Sequence, residues 1–438
     1  MRRLLFALAS LVLFACGGSD DAATPSFVTA SGGAGQGGAT AGKGGAAGAV
    51  AGAGAGGAGA AGVGGASAGS AGSAGASAGA AGSCARTPKP ADRARFVVVG
   101  HANAAGVGMK SNDWEVLDLA ADGALSRPGR TFKMGVPRDD RVAFTPDGEI
   151  GVASQDDGTL GIFRLDGEGE PTVIEPAYKA GFSYASAVSI SPDGNTVYVT
   201  NENWPDSGGG VYAFSLGCDG KPKDLGLVIK TKNAWGGVAL LSDTEGVVFS
   251  RETMGVPAGQ QMVRLGLSVP GKVNASADLF GDDKAILVAR AQSRDGRHVF
   301  VLDNSAFDGT ERLGVVDTKG GGLAKAQLLD GFPEAASIAV SPNSDAVVVA
   351  RWGSDTYAVL KYAPDATPPL TLDKKVKGIQ VPGALTMVER GALTGRVLIA
   401  EVRGLYQLQF EAGGVKDLGV FSLGMGVENL VSGVGVTP

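Results

Sequence analysis

Histidine and cysteine are scarce. His101 and His298 are the two imidazoles in 438 residues, and Cys16, Cys84 and Cys218 are the three thiols. His101 falls at the end of one strand pattern and His298 at the start of another. They therefore read as lying on opposite faces, which excludes a metal centre built from several histidines. No haem-attachment sequence, metalloprotease motif or nucleophile elbow occurs in the part that reads as folded. Aromatic residues make up 6% of the chain, and no long helical periodicity is present. Basic runs are missing as well, and the net charge is −6, so nucleic acid is excluded as a partner.

Long hydrophobic runs are limited to one. Arg2 and Arg3 precede an apolar stretch from Leu4 to Ala15, which ends just before Cys16. Twelve helical residues span about 18 Å, too short for a hydrocarbon core of about 30 Å. Residues 1–15 therefore read as an export signal rather than a membrane span. Leu13-Phe14-Ala15-Cys16 resembles the lipobox of bacterial lipoproteins, in which the cysteine is lipidated and becomes the mature N-terminus. Phe14 is bulkier than that position usually carries, and plain secretion is the alternative. Gly17 carries no evident signal for inner-membrane retention, so the expected address is the outer membrane of the cell envelope.

Glycine, alanine and serine dominate residues 16–84. Such a stretch has almost nothing to bury against the cost of ordering its backbone, and it reads as a disordered linker. A Gly-rich coil of about 66 residues has an r.m.s. span near 45 Å, enough to hold a domain clear of a membrane. Two motif matches inside it are accidents of composition. Gly65–Gly69 has no flanking strand or helix, and Gly37–Lys43 is followed by Gly44 where a phosphate loop needs Ser or Thr.

What the chain does hold, over residues 85–438, is a repeat. A short β-branched strand, a polar turn and a second apolar strand with a polar end recur seven times. Strand starts at Val142, Val188, Val238, Val288, Ile338, Leu385 and Leu430 are spaced by about 45–50 residues, the period of propeller blades. The clearest copy is VSISPDGNTVYVTN, from Val188 to Asn201. Its Ser191-Pro192-Asp193-Gly194 turn has Pro where φ near −65° is needed and Gly at its end. Thr145–Gly148, Ser293–Gly296 and Ser341–Ser344 repeat parts of that chemistry.

Ring closure is readable too. Phe96–Gly100 looks like a second strand with no innermost partner, and Leu430–Pro438 like an innermost strand without the rest of its blade. Pairing them completes an all-β, seven-bladed β-propeller and removes the open edges. The stretch from Val188 through VYVTN resembles the YVTN-repeat, lactonase-like family of seven-bladed propellers. That resemblance implies the fold over residues 95–438. For activity it implies only a range: lactonases, redox-enzyme propellers, and surface-layer or adhesion-like proteins.

One face of the disc collects the candidate ligand site. The polar strand ends are His101, Gln155, Asn201, Arg251, Asp303, Arg351 and Glu401, and beside them stand Glu202, Trp204 and Trp352. Loops entering the innermost strands add Asp140, Tyr184 and Trp235. Mixed charge with aromatic rings around a funnel suits a protein, peptide or glycan. The competing reading is that each strand-end side chain merely satisfies turn backbone. A lactonase-like hydrolase could instead use Glu202, Glu401, Arg251 and Arg351. No cofactor is expected, and calcium on Asn201, Glu202, Asp303 and Asn304 is the weaker alternative. Cys84 and Cys218 read either as a disulfide that pins the end of the linker or as two independent thiols.

Overall fold

The computed structural model describes residues 84–438, apart from 91, 103–111, 139, 180, 202–208, 233, 235, 282–286, 304–310, 333–334, 352–354 and 424–430. Strands fall into seven antiparallel sheets, six of four strands and one of five. The one helical element among the described residues is a 3-10 turn at Lys319–Gly321. In blade order, the innermost strands are Val431–Val436, Ala143–Phe144, Ala185–Ile190, Ala239–Leu240, Leu287–Gln292, Ala335–Val340 and Leu385–Met387. Trp204, Trp235, Trp352, Glu202 and Asn304 of the sequence reading lie outside the described residues.

Strand period explains why the blades stack. In Thr196–Asn201 the side chains alternate between two gaps. Val197 and Val199 pack with Ile150, Val152 and Ile162 of the second blade, while Tyr198 packs with Val238, Val248 and Val263 of the fourth. Each gap between neighbouring blades holds one such cluster, seven in all. A Val or Leu buried this way stabilises by about 1.5–3 kcal/mol.

The polar turns close on themselves. Ser191 Oγ donates to Asp193 Oδ1 and accepts the N–H of Thr196 at 2.9 Å. Asp193 Oδ1 accepts the N–H of Asn195 at 3.0 Å, and Gly194 (φ +75°) donates to Ser191 O at 2.8 Å. Thr145 with Asp147, and Ser293 with Asp295, build the same circuit. In the sixth blade the carboxylate arrives later. Ser341 Oγ donates to Asp345 at 2.6 Å, and Ser344 (φ +54°) takes the left-handed position without a glycine.

Closure follows the expected pairing. Val436 lies opposite Val97 and Val434 opposite Val99, so the C-terminal strand completes the first blade with Arg95–His101, Asp113–Leu119 and Leu125–Lys133. Two expected strand positions need correcting. Leu430 lies outside the described residues, the strand begins at Val431, and its Val434 holds the register position of Val188. In the fifth blade that position belongs to Arg290 rather than Val288, because Arg290 pairs with Val301 just as Val188 pairs with Val199. Spacing alone misplaced it, since intervening loops vary in length.

The structure joins Cys84 to Cys218, with Cα atoms 5.3 Å apart. The leader then runs over the turn-bearing face. Cys84 N–H binds Asn195 Oδ1 at 3.0 Å, Arg86 binds Gly217 O at 2.8 Å and pairs with Asp147, and Lys89 pairs with Glu149. The fourth blade also hooks onto the third. Its Glu252–Thr253 segment pairs with Lys232 and Thr231 as a fifth strand.

Candidate functional site: the channel mouth

Strand ends place the expected ring on one face, opposite the Ser-Pro-Asp-Gly turns, and each described member is held by structural bonds. Gln155, Asn201, Asp303 and Glu401 are completely buried (0% exposed). Gln155 accepts from Thr159 Oγ1 at 2.7 Å and donates to Pro176 O at 3.0 Å. Asn201 Oδ1 accepts the N–H of Tyr184 at 2.6 Å, and Glu401 Oε2 that of Gln380 at 2.7 Å. Both N–H groups belong to loops leading into innermost strands. Asp303 takes two bonds from Arg312, at 2.7 and 3.0 Å, and Glu401 is paired with Arg403. Arg351 donates to Thr356 Oγ1 at 3.5 Å. Arg251 has left its strand, for its N–H binds Lys232 O of the third blade, and Ser250 ends the ladder through Gln261 O.

His101 and Glu115 are buried and meet the exposed Arg127 in a triad. His101 Nε2 lies 3.3 Å from Glu115 Oε2, Arg127 Nε donates to Glu115 Oε1, and Arg127 Nη1 donates to Leu423 O of the seventh blade. Burial by itself would raise the Glu115 carboxyl. The bonds from His101 and Arg127 outweigh it and hold Glu115 below the ordinary carboxylate range. His298 lies on the opposite face as expected, buried, with Nδ1 2.6 Å from the Tyr362 hydroxyl.

A further group of charged residues lies ahead of or within the innermost strands. Asp140 and Arg141 lie just ahead of the second blade's innermost strand, and Arg141 bridges to Val434 of the first. Asp140 keeps some surface in the narrow channel but is walled in by protein, and its Oδ2 has no partner among the described residues. Burial raises its pKa, against the Arg141 N–H and the charges of Arg141, Arg138 and Arg290. The Arg138 guanidinium stacks over the Tyr184 ring at 4.7 Å. Arg290, from the fifth blade, reaches Ser189 Oγ of the third.

No family model matches the chain, and no curated protein matches it. Solved structures do. A periplasmic gluconolactonase from Pseudomonas aeruginosa superimposes with a TM-score of 0.58 at 16% identity, covering 79% of this chain and 99% of that one. A candidate 6-phosphogluconolactonase from Bacteroides fragilis gives 0.59 at 11% identity, with 80% and 100% covered. The likeness is one of fold. A hypothetical selenium-binding protein from Sulfolobus tokodaii shares it as well, at a TM-score of 0.54 and 12% identity, covering 80% and 94%. The propeller fold is thus shared, and the site must be argued from its own residues.

Within this propeller, sequence reading found Asp140 and Tyr184 but missed Arg138, Arg141 and Arg290. A signal for Arg290 was present. Counting back two residues from the polar strand ends His101, Asn201, Arg351 and Glu401 leads to partners Val434, Val188, Ile338 and Leu385. Counting back from Asp303 leads to an arginine.

Proposed function

We propose that this propeller is a lactonase-like hydrolase, exported and lipid-anchored through Cys16 in the cell envelope, with its reaction in the channel beside Asp140. The carrying observation is the Asp140 carboxyl, walled in by the channel with an unpartnered oxygen and a raised pKa. A carboxylate shifted toward neutrality is suited to act as a general base. It would take a proton from water as the water oxygen attacks the lactone carbonyl. The ring C–O bond then breaks, and the proton goes to the departing alkoxide. Arginine charge beside the carboxyl stabilises the oxyanion formed on attack. Fold likeness to a gluconolactonase supports the substrate class. The test is hydrolysis of a panel of aldonolactones above the spontaneous rate. Asp140→Asn should lower kcat by about 10²–10⁴-fold. Unchanged turnover in that variant would remove Asp140 from the chemistry.

One observation favours a second reading. Asp303 and Glu401 are already committed to Arg312, Arg403 and loop backbone, which leaves no spare acid among the described ring members. A binding module for an envelope protein, peptide or glycan needs none. It would show no turnover, and its binding energy would concentrate on Trp204, Trp235 and Trp352.

A further inference from the structure

Arg290 occupies a place that packing does not ask of it. Four other blades fill the same register position with Val434, Val188, Ile338 and Leu385. Its side chain crosses the fourth blade to donate, through Nη2, to Ser189 Oγ of the third. The fourth blade leaves that path clear with Gly236 (φ +72°) and Gly237 (φ +78°). A Cβ on Gly237 would lie 3.2 Å from Arg290 Nη2. Arg290 Nε has no partner among the described residues.

Arg141 enters the channel at the same level. It bridges to Val434, and Val434 stands in its own blade where Arg290 stands in the fifth. Among the described residues neither guanidinium belongs to an ion pair, and the acid close to both is Asp140. Among the described residues that sets the guanidiniums of Arg141 and Arg290 against the Asp140 carboxylate. Arg290 is half-buried while Arg141 is exposed, so the cost of an uncompensated guanidinium falls on Arg290, and a bound anion removes that cost.

We propose that the channel is a binding site for a small oxyanion, a carboxylate or phosphate, held between Arg141 and Arg290 beyond Asp140. Burial and then the Arg141 charge press the Arg290 pKa well below its usual value, against the opposing pull of Asp140. Ser189 serves as a positioning residue. Its Oγ is fixed by Val238, donating to the carbonyl at 2.8 Å and accepting the N–H at 3.2 Å, and so it anchors the Arg290 head group.

The site shares its arginines with the proposed lactone reaction, so it is tested by binding, which needs no turnover. Titrating the full chain, disulfide intact, with sodium phosphate or sodium malonate should give saturable binding by calorimetry and a saturable rise in melting temperature. Sodium chloride at equal ionic strength should give neither. Arg141→Gln, which alters a channel-exposed residue, should weaken the tighter anion by at least tenfold, and Arg290→Gln should abolish binding. Asp140→Asn, which lowers turnover under the hydrolase reading, should instead tighten the anion by removing the Asp140 negative charge. Failure of both anions to saturate in the unsubstituted chain overturns the proposal. So does equal affinity in the Arg141→Gln variant. Because the first of these needs no variant, misfolding of Arg290→Gln cannot shield the idea.

Discussion

Thr437 Oγ1 accepts the N–H of Phe96 at 3.0 Å across 341 residues of sequence, and Thr437 N–H returns a bond to Phe96 O at 2.9 Å. The two termini of the propeller are thereby stitched into one blade. Deleting residues 430–438 strips the partner from Arg95–His101 and reopens the ring. The truncated protein should melt well below the full chain or aggregate. Thr437→Val, which leaves the Phe96 N–H unsatisfied, should cost about 1–3 kcal/mol in denaturant unfolding. An unchanged melting temperature after truncation would refute closure by this strand.

The Cys84–Cys218 link closes a loop with a sequence separation of 134. Chain entropy places its contribution at about 5 kcal/mol at most, with strain and residual structure reducing it. Cys84→Ser and Cys218→Ser should each lower the denaturant midpoint, and reductant should do the same to the unsubstituted chain but to neither variant. Reductant-sensitive variants would show that the link is not the source of the effect.

Glu115 makes stability pH-dependent in a definite direction. Its folded pKa lies below the ordinary 4.5, so the unfolded chain binds its proton first as pH falls. The contribution is fully present above that ordinary value and is lost as pH drops toward the folded one. Denaturant midpoints measured between about pH 3 and 7 should show this limb in the unsubstituted chain and a flatter one in Glu115→Gln. Identical slopes would separate the triad from acid stability.

Ser191 joins both sides of its turn, donating to Asp193 and accepting from Thr196 N–H. Ser191→Ala should cost about 1–2 kcal/mol, because a strand-entry N–H loses its acceptor. Ser293→Ala should behave alike, since Ser293 Oγ accepts the His298 N–H at 2.9 Å in the equivalent turn. A cost in one blade and none in the other would show that the two circuits are not equivalent.

Much of this architecture is local and therefore legible in the chain. Alternation in Thr196–Asn201, Ser-Asp turn circuits and two half-blades at the ends require only neighbours in sequence, and they determined seven blades and the way the ring closes. The direction and bonding of the ring side chains were decided by the tertiary structure. Asn201 and Glu401 look like ligands in a string of letters, yet their oxygens meet the N–H groups of Tyr184 and Gln380, which arrive only when a loop folds back. Arg290 is the reverse case. It sat unnoticed in an apolar strand because its meaning depends on reaching past Gly236 and Gly237 to Ser189, a contact spanning 101 residues and two blades. Backbone periodicity is set within a few residues, whereas the environment of a charge is set by whatever the closed ring brings around it.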